Sequence, residues 1–178
     1  MKRRAWFLWR VLIVIFSIFI YDGCMPLPIS PSDTRPVILH AFISKSEVTY
    51  GDALRIYIEA EDPAGYMFKI YTVVKQAGWG WHFPDTTYVK KEDQHHLIGY
   101  LQWNTFSSKA PSMQEWTQVT ISVSVADTSG KESQSVTFPI EFISERTPEA
   151  PLPPPFDRAN LPRLGHIFVD LINPHHVY

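Results

Sequence analysis

The chain has 178 residues, 45% hydrophobic and 14% aromatic, with one cysteine and a formal charge of −2. A single cysteine excludes an intrachain disulfide, so the fold must rest on its hydrophobic core. From Cys24 onward 12 Lys plus Arg stand against 17 Asp plus Glu, a net of −5, which argues against nucleic acid as a partner because that needs a basic patch.

Residues 1–23 read as a signal peptide or membrane anchor, expected as a hydrophobic helix ahead of the domain. Lys2, Arg3, Arg4 and Arg10 form a basic head, and Val11 to Ile20 follow as an apolar run broken only by Ser17. The run is short against the roughly 20 apolar residues of a membrane span. It ends in Tyr21-Asp22-Gly23-Cys24. A basic head with a short apolar run ending at small residues is the pattern of an export signal. The segment resembles a bacterial lipoprotein signal peptide. That resemblance implies that Cys24 is the lipid attachment site and the first residue of the mature chain. Gly23 fits it, whereas Tyr21 and Asp22 depart from the residues the family prefers. Two other readings stay open. One is ordinary signal cleavage. The other is an uncleaved anchor over Ala5 to Tyr21, with Trp6 and Trp9 at the interface and Arg10 snorkelling outward. With the basic residues leading, an anchor leaves the bulk of the chain outside the cytoplasm. The expected location is the bacterial cell envelope, with the membrane engaged through the N-terminus.

Residues 24–36 carry Pro26, Pro28, Pro31 and Pro36 and read as a semi-stiff tether. The block 37–144 then takes a period of two. Leu54, Ile56, Ile58 and Ala60 alternate with Arg55, Tyr57, Glu59 and Glu61. Val119, Ile121, Val123 and Val125 alternate with polar residues, as do Val136, Phe138, Ile140 and Phe142. Each predicts a half-buried strand with one wet face. Pro139 lacks an N–H and places its strand at an edge or a bulge. Weaker strands are predicted over Val37 to Ile43, Val48 to Tyr50, Met67 to Val74 and Leu97 to Trp103. Glu61-Asp62-Pro63-Ala64-Gly65 and Asp127-Thr128-Ser129-Gly130 are turn sequences. The expected fold is all-β, about seven strands in two antiparallel sheets packed face to face. Gly51-Asp52, Ala60 to Gly65 and Val125 to Gly130 resemble the corresponding turns of immunoglobulin-like domains of bacterial surface proteins. The resemblance implies an immunoglobulin-like β-sandwich without the cysteine pair of antibodies.

Residues 145–178 form a proline-rich tail with a strand-like segment, Leu164 to Ile172. Ile167, Val169 and Leu171 share one face there, and docking on the domain's own sheet is preferred to docking on a partner.

No segment carries a recognisable catalytic motif. His95 and His96 diverge if both lie on a strand, and form a solvated loop pair, the preferred reading, if the strand starts later. His175 and His176 lack companions, and His40 and His82 have no partner visible in the sequence. Glu61, Asp62 and Asp127 are a candidate Ca²⁺ cluster, since the two turns fall at one end of such a sandwich. The plainer reading is that the aspartates cap their own turns. Gly78-Trp79-Gly80-Trp81-His82-Phe83-Pro84 is a candidate contact site through Trp79, Trp81 and Phe83. The plainer alternative is an aromatic lid buried over one end of the sandwich. No cofactor is expected. The expected function is a non-catalytic interaction or structural module of the envelope, engaging an envelope protein or a polysaccharide. A ligand-binding module that stacks sugars on these aromatics is the alternative, and an enzyme with an unmarked site ranks third.

Overall fold

The computed structural model describes residues 34–173 except 112, 114 and 116. The expected leader helix, Cys24, most of the tether, His175 and His176 lie outside the described residues. Among the described residues no helix is long and apolar enough to cross a membrane.

The described chain is all-β, in two sheets. In chain order the strands are β1 (Val37–Ile43), β2 (Glu47–Val48), β3 (Ala53–Glu61), β4 (Met67–Gln76) and β5 (Gly80–Trp81). Then come β6 (Asp85–Tyr88), β7 (His96–Asn104), β8 (Gln118–Asp127), β9 (Val136–Phe142) and β10 (Arg163–Ile167). A four-stranded sheet runs β1-β3-β7-β10. A six-stranded sheet runs β2-β9-β8-β4-β5, with β6 also paired to β4. The expectation of seven strands is thus corrected to ten: β5 and β6 are too short to show a period, β10 comes from the tail, and the strand expected over Val48 to Tyr50 is β2 at Glu47–Val48. Antiparallel pairing is also corrected in two places: β2 runs parallel to β9 and β10 parallel to β7.

The alternating positions meet between the sheets. Leu54, Ile56, Ile58 and Ala60 of β3 and Leu97, Leu101 and Trp103 of β7 face Ile70 and Val74 of β4, Val119, Ile121, Val123 and Val125 of β8, and Phe138, Ile140 and Phe142 of β9. Trp103 packs edge-on against Phe142 with ring centres 6.2 Å apart. Around Pro139 the strand β9 has β8 on one side only, since β2 reaches just Glu141 and Phe142. A residue with no N–H to donate is tolerated on such an edge.

The proline-rich segment after β9 lies against the four-stranded sheet. Ala150 N–H donates to Ser44 O at 3.0 Å, and Glu149 approaches Arg55 at 3.6 Å. Phe156 is fully buried, its ring 5.7 Å from that of Tyr57. Tyr57 also meets Tyr100 at 5.6 Å. The outer face of β3, expected to be wet, is therefore covered at its centre. β10 then pairs with β7, and its other side approaches β6. A Cβ on Gly165 would fall 2.4 Å from Thr87 Oγ1, so only glycine permits that closeness.

Candidate functional site

The pairing registers give the domain two poles. The chain enters at the near pole, where Val37 stands opposite Glu61, Glu61 opposite His96, and Met67 opposite Asp127. The far pole holds the other strand ends, where Ala53 pairs with Asn104, Gln76 with both Gly80 and Val119, and Ile167 with Trp103. β3 has nine residues, so the poles are roughly 30 Å apart at about 3.4 Å per residue.

Polar side chains at the near pole close upon the protein. Asp62 accepts from Ala64 N–H at 3.0 Å and Tyr66 N–H at 2.9 Å. Asp127 accepts from Ser129 N–H at 2.8 Å and Lys131 N–H at 2.9 Å. The two turns do meet, through Thr128 N–H to Tyr66 O at 3.0 Å, but each carboxylate serves its own turn, as turn aspartates commonly do. Glu61 is exposed. Among the described residues no three His, Cys, Asp or Glu side chains are placed to hold a metal ion. His95 precedes β7, its ring filling the space where a Cβ on Gly65 would sit. Gly65 has φ +72°, a left-handed conformation that suits glycine.

The expectation of a solvated histidine pair is corrected, since His96 begins β7 and, like His40, has a partner that the sequence did not reveal. Glu59, on the outward row of β3, is buried between them. His40 Nδ1 lies 2.8 Å from Glu59 Oε2 and His96 Nε2 2.8 Å from Glu59 Oε1. The three residues come from β1, β3 and β7 and are joined only by register. Burial pushes the Glu59 pKa up, but the hydrogen bonds from His96 and His40 outweigh it and hold the carboxyl below its usual range. The arrangement is a clamp across three strands, with both carboxylate oxygens engaged by imidazole.

The far pole is different. β5 is only two residues long and pairs with the end of β4 at the margin of the six-stranded sheet. Trp79, Trp81 and Phe83 are 43%, 64% and 98% exposed. The expectation of a buried aromatic lid is therefore corrected: among the described residues these rings stand at the sheet margin, outside the core between the sheets. Lys75 Nζ sits 5.5 Å above the Trp81 ring. His82 instead turns inward, its Nε2 3.1 Å from Gln76 Oε1. Gln76 is itself buried and its oxygen accepts from Ile172 N–H at 3.1 Å. Burial lowers the His82 pKa, and the charge of Lys109 adds to this against the opposing pull of Asp170.

Beside this loop lies an open groove of about 610 Å³, lined by Phe106, Phe168, His166, Asn104, Ser108 and Asp170 together with Ile167 and Val169. Phe106 is 61% and Phe168 77% exposed. Its floor is held firmly. Asp170 accepts from Ser107 Oγ at 2.7 Å, Ser108 N–H at 2.9 Å and Ser108 Oγ at 2.8 Å. These bonds, Ser107 foremost, keep its carboxyl below the ordinary range. Asp85 Oδ2 takes the Phe168 N–H at 2.9 Å, which ties the groove rim to the end of the aromatic loop. Phe168 was readable in part: the alternation that puts Ile167, Val169 and Leu171 on one face puts His166, Phe168 and Asp170 on the other.

No protein-family model matches the sequence, and no curated protein matches it. Among solved structures, the chain is similar to an alkylpurine DNA glycosylase, AlkC of Pseudomonas fluorescens, bound to DNA containing an abasic site analogue. The identity is 10% and the TM-score 0.41, over 65% of this chain and 32% of the glycosylase. The chain thus spans about a third of that enzyme's length. It is also similar to the CARDB domain of the PF1109 protein of Pyrococcus furiosus in complex with di-metal ions, at 10% identity and a TM-score of 0.31, over 62% of this chain and 92% of the domain. Likenesses this loose assign neither an activity nor a ligand.

Proposed function

We propose that the chain is a non-catalytic binding module of the bacterial cell envelope, tethered by its N-terminus, with its contact surface at the far pole. The observation that carries the reading is the exposure of Trp79, Trp81 and Phe83 at the pole opposite the point of chain entry. Large rings left in water on a domain with a well-filled core mark a surface that is covered by something else. An immunoglobulin-like sandwich is supported by the strand order, in which β1 joins β3 and β7 while β2 joins β9, β8 and β4. The basic head, the short apolar run and Cys24 support a lipid anchor. The non-catalytic assignment draws on where the ionisable groups are engaged: Glu59 between histidines, Asp52 with Lys45 at 3.3 Å, and Asp170 in its serine loop.

The test is photo-crosslinking in intact envelopes, with a photoreactive residue placed at position 81, 83 or 61. Adducts are expected from 81 and 83. Adducts confined to 61 would move the contact surface to the near pole. Intact mass of the natively expressed protein checks the anchor: an acylated chain beginning at Cys24 is expected, and an uncut chain would favour the transmembrane alternative.

A further inference from the structure

We infer that the groove between Phe106 and Phe168 is a binding site for a neutral, linear pyranose glycan, continued along the Trp79–Phe83 loop. The inference rests on the far-pole reading and names its ligand.

The groove is mixed in character. Phe106 and Phe168 offer two exposed phenyl faces, and Ile167 and Val169 add apolar wall. Asn104, Ser108 and His166 stand among them. Asn104 accepts from Gln102 Nε2 through its oxygen at 3.1 Å, which leaves its NH₂ as a donor. His166 lies beside Phe168, ring centres 5.7 Å apart, and an imidazole can donate from one nitrogen and accept at the other. An occupant that was apolar throughout would bury these groups without partners, at about 1–3 kcal/mol for each. A pyranose meets both demands. Its C–H face lies on an aromatic ring while the hydroxyls on its rim exchange hydrogen bonds.

Charge and rigidity favour the same class. The carboxylate facing the groove, Asp170, is already bonded by Ser107 and Ser108, so it fixes the floor and does not call for a cationic ligand. A volume of about 610 Å³ lies within the roughly 300–1,000 Å³ range of small-molecule sites. The groove is open, and its rim is bonded through Asp85 to the end of the loop bearing Trp79, Trp81 and Phe83. A ligand that enters the groove can therefore continue over further aromatic rings, as a chain of sugars does and a single compact metabolite does not.

The experiment is titration calorimetry of the full chain in detergent with three hexasaccharides: β-1,4-linked glucose, β-1,4-linked N-acetylglucosamine and α-1,4-linked glucose. At least one is expected to bind. Phe168→Ala and Phe106→Ala should each weaken it about tenfold or more, the loss of one exposed ring that the sugar covers on binding, with unchanged melting temperature. Trp81→Ala should weaken the hexasaccharide more than the corresponding disaccharide. Binding that survives both phenylalanine variants overturns the groove assignment. If none of the three sugars binds while crosslinks still form at position 81, the far pole remains a contact surface but the glycan is wrong. Phosphatidylcholine vesicles serve as the counter-probe: Phe168-dependent vesicle binding without sugar binding would make the occupant a bilayer.

Discussion

The two poles of one sandwich treat their side chains in opposite ways. At the near pole most of the named polar groups fold back on the protein, Glu61 excepted: Asp62 and Asp127 onto their own turns, His40 and His96 onto Glu59. At the far pole polar groups again brace the scaffold, Asp170 through its serines and Gln76 through Ile172, but the large rings are left in water. A cluster of carboxylates attracts attention in a sequence, yet here two of its three members, Asp62 and Asp127, are bonded to their own turns, while aromatic residues that sequence statistics assign to the core are the ones that remain available.

The most disruptive test removes what both poles share. Ile121 is fully buried at the centre of β8. Ile121→Asp places an unpaired charge in a dry core and should abolish folding outright, since its cost takes up most or all of a typical stability of about 5–15 kcal/mol. A soluble variant with a cooperative melt would mean that the inward faces are misassigned. Next in size is Phe156→Ala, which empties a fully buried site under the proline-rich segment. A loss of about 3–5 kcal/mol is expected, read by denaturant unfolding. A loss below about 1 kcal/mol would show that the segment is only loosely laid on the sheet.

The clamp gives a smaller, pH-dependent effect confined to the near pole. Glu59 has a folded-state pKa below its ordinary 4.5. The unfolded state therefore takes up its proton first as the pH falls. The contribution of the clamp is complete above about pH 4.5 and is lost as the pH drops through the lower folded value. Glu59→Gln should flatten that acid limb of the stability profile while leaving sugar binding at the far pole unchanged. An unaltered acid limb would show that Glu59 is not what fails in acid. The smallest expected change is in the stability of Trp81→Ala. An exposed ring over Lys75 should alter unfolding free energy by no more than about 0.5 kcal/mol, although the same substitution impairs binding. A large destabilisation would mean that the ring supports the scaffold and would weaken the contrast between the poles.

The long alternating strands were legible because a sustained period of two matches the pleat of a strand and not the turn of a helix. The faces of β3, β8 and β9 follow from it directly, as does the turn chemistry of Asp62 and Asp127. The Glu59 clamp was not legible, since it joins residues 40, 59 and 96 through strand register, which a single sequence does not reveal. β5 and β6 were too short to show a period. Exposure of Trp79 and Trp81 could not be read either, because an alternating aromatic pair fits a buried lid and an uncovered edge hairpin equally well; what packs over β5 is decided by tertiary structure. The covered face of β3 escaped for a related reason: Phe156 sits among prolines, where no period announces burial.

The parallel strand β10 has a consequence for the order in which the domain is made. It is the last strand of the described chain, and it supplies the neighbour that β7 has on the side away from β3. As the domain folds, β7 therefore keeps one row of backbone groups unpaired until residues 163–167 dock beside it. An exposed strand of that kind invites pairing with another copy. A chain ending at Ser144 retains β1 to β9 but leaves that edge permanently open, and it is expected to sediment as oligomers where the full chain stays monodisperse. Monodisperse behaviour of the shortened chain would show that the edge is harmless without its last strand.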